Sequence, residues 1–122
     1  AEDVIKDHID KPLIVVRTEE LVSHAIERMR KYKISQIPVI DITGFVGSVD
    51  ESDLFQSYVA DKEVADKPIK DVMGKPFPIV KHGTPIEEVS KLFSKENEAV
   101  LVELENGNHH IITKYDIIGS IK

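Results

Sequence analysis

The stretch Gly47-Ser48-Val49-Asp50-Glu51-Ser52-Asp53-Leu54 has a counterpart late in the chain, His110-Ile111-Ile112-Thr113-Lys114-Tyr115-Asp116-Ile117. Each runs from an apolar segment into a helix start. Each places a capping residue (Asp50 or Thr113) three positions before an acid (Asp53 or Asp116). That spacing is a signature of a helix N-terminus. Two such starts in a chain of 122 residues point to an internal repeat.

Working outward, Leu13 to Phe55 and Phe77 to Ile118 read as two copies. Each opens with a short apolar strand, Leu13-Ile14-Val15-Val16 and Phe77-Pro78-Ile79-Val80. A helix follows. Val22, Ala25, Ile26 and Met29 recur at helical spacing in the first copy, and Ile86, Val89, Leu92 and Phe93 in the second. One residue is missing from the second copy after the helix. Second strands are expected at Ile37-Pro38-Val39-Ile40 and Val100-Leu101-Val102-Glu103. Turns follow at Gly44 and Gly107, then third strands at Phe45 to Val49 and Asn108 to Ile112. Each copy is therefore strand–helix–strand–strand–helix.

One copy alone leaves an apolar sheet face and two helix stripes uncovered, and a second copy packed on it covers them. The expected fold class is α+β, two tandem βαββα repeats related by a pseudo-twofold axis. Residues 1–60 hold the first repeat with an N-terminal lead-in. Residues 61–122 hold a linker and the second repeat, the whole forming one compact pair. Lys67 to Met73 is expected to open the second copy with a short helix, and Val4 to His8 is the equivalent stretch before the first.

Composition narrows the function. The net charge is -6, against the basic surface that nucleic acid requires. No apolar run reaches the roughly 20 residues of a membrane span, and no signal-peptide pattern is present. Neither a nucleic acid nor a membrane is an expected partner. The absence of cysteine excludes disulfides and thiolate metal sites and fits a reducing compartment, so a cytoplasmic location is expected. The chain starts at Ala1, as a processed product or a piece of a longer protein would.

Catalytic constellations are missing. The five histidines, His8, His24, His82, His109 and His110, show no zinc spacing, and a surface position is expected for all of them. His109 and His110 are adjacent on a strand and point to opposite faces. No nucleophile elbow, Walker loop or dinucleotide fingerprint occurs. The expectation is a chain with no catalytic residues, no metal and no cofactor of its own. Thr113 and Asp116 first read as a capping box. A capped helix start also has the parts of a nucleoside site: free amides for a phosphate and a carboxylate for two ribose hydroxyls.

The two closing segments, together with Ile34-Ser35-Gln36-Ile37-Pro38-Val39-Ile40-Asp41, resemble CBS domains in tandem, the Bateman module. Within that family, Gly47-Ser48-Val49, Asp71 to Pro78 and Ile112 to Asp116 are similar to the C-terminal regulatory pair of cystathionine beta-synthase. The resemblance implies a regulatory module that binds an adenosine-containing effector, S-adenosylmethionine, AMP or ATP. The chain would be covalently joined to a pyridoxal-phosphate catalytic domain that lies outside it, and would pair as a homodimer. Carried over residue by residue, the resemblance implies that Asp116 holds the ribose and Thr113 contacts the phosphate or amino-acid tail. Leu13, Ile14, Ile34, Gln36 and Ile37 would enclose the adenine, with Ile112 and Tyr115 beside them. A second, weaker site on Asp50 and Asp53 departs from the pattern. Asp50 replaces a hydroxyl there, Glu98 faces it, and an anionic ligand would be repelled. The alternative is a ligand-free structural dimerisation module.

Overall fold

A computed structural model describes residues 13–94 and 97–120. The elements run β1 (Val16–Arg17), α1 (Val22–Tyr32), β2 (Gln36–Asp41), β3 (Gly44–Asp50) and α2 (Glu51–Ala60). Two 3-10 turns follow, at Lys62–Asp66 and Ile69–Asp71. Then come β4 (Ile79–Lys81), α3 (Ile86–Ser90), β5 (Ala99–Glu103), β6 (His109–Thr113) and α4 (Lys114–Ser120). The α+β class and the twice-repeated strand–helix–strand–strand–helix order are those expected. The lead-in Val4 to His8 lies outside the described residues.

There are two three-stranded sheets, β1-β2-β3 and β4-β5-β6. In each, the first pair is parallel and the second antiparallel. The registers repeat as well. Gln36 faces Asp50 and Ile37 faces Val49 in one sheet, while Ala99 faces Thr113 and Val100 faces Ile112 in the other. Asp53 and Asp116 are thereby equivalent positions, each the third residue of its closing helix. Gly44 and Gly107 both take positive φ in the hairpin turns, where a side chain would be strained. Among the described residues, the copies differ at a bulge between Val39 and Ile40, which the first sheet has and the second lacks.

The chain divides into two compact units. The first, Ile14–Pro76, has a core of Val16, Val22, Ala25, Met29, Ile37, Val39, Val49 and Leu54. Val22, Ala25 and Met29 lie one turn or two apart on α1, so the helix buries one stripe. Lys33 ends α1 in the left-handed conformation, and the amides of Lys33 and Ile34 both donate to the Met29 carbonyl.

Residues 61–76 behave differently from a linker. The expected short helix forms at Ile69–Asp71, but it is packed in the first unit. Val64 and Ile69 are core residues there, and Val72 and Met73 pack against them. Burying side chains of this kind contributes about 1.5–3 kcal/mol each. The segment also closes backbone positions that α1 and β3 leave open. Leu21 gives α1 no side-chain cap, and the Val22 amide donates instead to the Lys67 carbonyl at 2.9 Å. The Ile69 amide donates to Glu20 O at 2.8 Å and the Lys70 amide to Thr18 O at 3.0 Å. Further on, Ser48 and Gly74 exchange backbone hydrogen bonds, and the Ser48 hydroxyl donates to Lys75 O at 2.6 Å. A Cβ built on Gly47 would lie 2.6 Å from Met73 Sδ and 2.9 Å from Gly74 O, so only glycine lets this strap approach β3.

In the second unit, Val102 and Ile112 are packed by Val80, Ile86, Phe93, Leu104 and Ile117. The expected long helix there is cut short at Ser90. The Ser90 hydroxyl donates back to Ile86 O at 2.7 Å, a bond that competes with the helix, and Asn97 Nδ2 takes the Leu92 carbonyl. Not every histidine is at the surface. His110 is buried, because strand alternation puts it on the same face as Ile112.

Candidate functional site

The expected ligand residues fall in different units. Ile14, Ile34, Gln36 and Ile37 belong to the first, and Ile112, Thr113, Tyr115 and Asp116 to the second. The division passes between Leu13 and Ile14.

In the second unit, β6 delivers Thr113 to the start of α4, and Asp116 sits in the first helical turn. Asp116 Oδ2 accepts the Thr113 amide at 2.8 Å and the Thr113 hydroxyl at 3.2 Å. This is the returning arm of the expected capping box. It fixes the carboxylate beside the hydroxyl, partly exposed. The Ile112 side chain points into the core with no exposure. Tyr115 opens α4 after Lys114, and its side chain lies outside what the structure describes.

In the first unit, the equivalent corner is built with the roles exchanged. Asp50, not the acid three residues later, makes the cap, accepting the amides of Ser52 at 2.9 Å and Asp53 at 3.4 Å. Its other oxygen accepts Gln36 Nε2 at 3.2 Å, across the β2–β3 pair. Both Asp50 oxygens are thus engaged by the unit's own donors, while Asp53 is exposed. Gln36, expected against the adenine, is tied to this cap. The Ile37 side chain is fully buried in the core, whereas Ile14 and Ile34 are half-buried at its margin.

Sequence reasoning missed a second cluster in the first unit. A cleft of about 340 Å³ is lined by Glu20, His24, Glu27, Arg28, Lys31 and Tyr32, none of them an expected ligand residue. At its edge, Arg28 grips Glu20 with both terminal nitrogens, at 2.9 and 2.7 Å, and also donates to Val15 O at 3.0 Å. Glu20 accepts the Arg17 amide at 2.8 Å. The Arg28 hydrogen bond, with help from that amide, holds the Glu20 carboxyl down to about 2 and raises the guanidinium in turn. The eight-residue spacing of an acid and an arginine around a helix start was the available signal. Among the described residues, no group of three His, Asp or Glu side chains is placed to hold a metal ion. None of their helices is long and apolar enough to cross a membrane.

Two sheets of one topology, each followed by a helix whose start is held by an aspartate, define a tandem βαββα pair. The CBS domain profile matches residues 2–60 and again 69–122, and the chain belongs to the CBS domain family. Solved structures agree on the fold. A CBS-domain containing protein from Agrobacterium tumefaciens superposes with a TM-score of 0.81 at 18% identity, over 98% of this chain and 97% of that one. A CBS-domain protein from Burkholderia ambifaria, described as a putative signal-transduction protein, gives 0.80 at 20% identity, over 98% and 90%. CBSX2, solved in complex with AMP, gives 0.70 at 23% identity, over 91% and 88%. No curated protein matches the chain.

Proposed function

We propose that this CBS pair is a regulatory module that senses an adenosine-containing ligand and carries out no reaction itself. One observation carries the reading. Thr113 and Asp116 set a hydroxyl and a partly exposed carboxylate side by side at the opening of α4. A carboxylate can accept both hydroxyls of a ribose, and the neighbouring hydroxyl can donate to a phosphate or an amino-acid carboxylate. Leu13, Ile14, Ile34 and Gln36, which keep some exposed surface, would enclose the base with Tyr115 alongside, while the fully buried Ile37 and Ile112 would back them from the core. AMP bound to CBSX2 makes adenine nucleotides reasonable candidates. The similarity of Asp71 to Pro78 and of Ile112 to Asp116 to the cystathionine beta-synthase regulatory pair favours S-adenosylmethionine. In that case the chain would act on a linked pyridoxal-phosphate catalytic domain. The corner at Asp50 and Asp53 is the weaker site, since both Asp50 oxygens already accept hydrogen bonds and its charge opposes an anion.

Pairing into a homodimer belongs to the same proposal. Phe55 and Val59, one turn apart on α2, are 66% and 65% exposed, and Ile118 of α4 stands at the position equivalent to Phe55 and is 63% exposed. A twofold contact would cover such faces. A second reading, a structural module with filled pockets, is favoured by the complete burial of Ile37 and Ile112. Calorimetry with S-adenosylmethionine, AMP and ATP separates the two. Saturable heat with one ligand supports sensing, and silence with all three supports the structural module.

A further inference from the structure

Among the described residues, β1 is an end strand of its sheet, with β2 on one side. It pairs with β2 in parallel, Val16 opposite Val39, and the Thr18 amide donates to Ile40 O. Backbone groups of successive strand residues point to opposite sides. The Val15 carbonyl and the Arg17 amide therefore face away from β2, along the open edge. A further parallel strand would donate to the first and accept from the second. Here Arg28 donates to Val15 O at 3.0 Å and Glu20 accepts from Arg17 N at 2.8 Å. The two side chains are joined by a bidentate pair at 2.7 and 2.9 Å. Together they occupy the two hydrogen-bonding places of a missing strand residue opposite Val16.

We propose that Glu20 and Arg28 act as this surrogate strand residue and thereby serve as positioning residues for the segment Leu13–Val15, which carries the expected ligand residues Leu13 and Ile14. The proposal rests on the adenosine-site reading above. Leu13, Ile14 and Val15 precede the ladder, which begins at Val16. The Val15 carbonyl is fixed by Arg28, and Ile14 packs partly on the core. The Arg28 bond is thus the anchor that sets the path of the segment that would face the adenine. An ordinary edge is protected by charge or by a bulge. This one is closed by side chains that also tie the strand to α1, where Arg28 resides.

The test uses Glu20→Ala, Arg28→Met and, as a control of similar stability loss, Val64→Ala, a core change in the same unit. Amide exchange by NMR reads the surrogate ladder, and calorimetry reads affinity for whichever of AMP, ATP and S-adenosylmethionine the parent binds. In Glu20→Ala the Arg17 amide should lose protection while Thr18 keeps it. Both site variants should bind about three- to tenfold more weakly, with Val64→Ala near the parent. Arg28→Lys, which keeps the charge but not the fork, should fall between. Continued protection of Arg17 in Glu20→Ala overturns the surrogate strand. Equal losses in all three variants reduce the effect to stability and overturn the positioning role. Parent-like affinity in both site variants, while Asp116→Ala loses binding, overturns the positioning role and leaves the site reading standing. A parent that binds none of the three ligands overturns both.

Discussion

Asp116 and Asp50 support equivalent helix starts through different amides. Asp116 reaches back from the first turn of α4 to the Thr113 amide at 2.8 Å, whereas Asp50, one residue before α2, accepts the amides of Ser52 and Asp53 inside the helix. The exchange leaves a hydroxyl at the corner of α4 and a charge at the corner of α2. Asp116→Ala should therefore weaken adenosine-ligand binding roughly ten- to more than a hundredfold, the effect of losing a charged acceptor of about 1.5–3 kcal/mol. Its capping loss should cost about 1 kcal/mol of stability. Asp53→Ala should bind nearly as the parent does. Titrating both variants checks the assignment, and the reverse pattern would move the site to Asp53.

Gly47→Ala should destabilise the first unit by about 1–3 kcal/mol. Met73 can swing its sulfur aside, but the Gly74 carbonyl cannot move without breaking the bond it accepts from the Ser48 amide. Adding Met73→Ala should recover only part of the loss. Urea unfolding of the single and double variants measures this. Full recovery would show that the methionine alone set the limit.

Ile69→Ala should cost about 2–5 kcal/mol, as for a fully buried isoleucine. Lys70→Ala, at the exposed neighbour, should be within about 0.5 kcal/mol of the parent. If the two unfold alike, the strap is not a core element.

Acid should expose the Glu20–Arg28 pair. Glu20 ordinarily titrates at 4.5 and is held to about 2 in the folded protein by Arg28 and the Arg17 amide. A depressed carboxyl stabilises the fold above its unfolded value and loses that contribution as pH falls through the folded one. The stability gap between the parent and Glu20→Gln should be constant above about pH 5 and close toward pH 2. Partial exposure of both partners limits it to about 1–2 kcal/mol. His24 Nδ1, 3.6 Å from Glu20, also faces the carboxylate, so the comparison is best made with His24→Gln as background. A gap that stays constant down to pH 2 would dissociate the pair from stability.

Covering Phe55, Val59 and Ile118 by a second copy predicts a dimer at tens of micromolar. Phe55→Glu should shift the mass measured by light scattering toward the monomer. A monomeric parent would remove the dimer from the proposal.

The repeat was legible because it is written in local patterns: capped acids, hairpin glycines and apolar strands. Ladder registers then follow from which faces are apolar, as at Ile37–Val49 and Val100–Ile112. A surface position was expected for His110, although its alternation with Ile112 on one face carried the signal of burial. The strap was not. Val64 and Ile69 look like scattered apolar residues in a polar segment, and only tertiary contact shows what they cover. The early end of α3 was not legible either, because Leu92 and Phe93 continue the helical spacing of Ile86 and Val89 beyond Ser90, where the helix stops. The exchanged caps were half-legible: Asp50 stood out as a charge, but its bond to Gln36 depends on strand register.

The placement of Val64, Ile69 and Gly74 in the first unit has a consequence for how the protein is made. The family pattern of the first repeat ends at residue 60 and resumes at 69, yet the first core needs both sides of that gap. During synthesis, at about 5–20 residues per second, a nascent chain that has emerged only as far as Ala60 still lacks two core side chains and the amide partner of Ser48. The N-terminal half completes its core and its Ser48 pairing only once the opening of the next repeat has left the ribosome. Its completion is thus timed by sequence that the repeat pattern assigns to its successor.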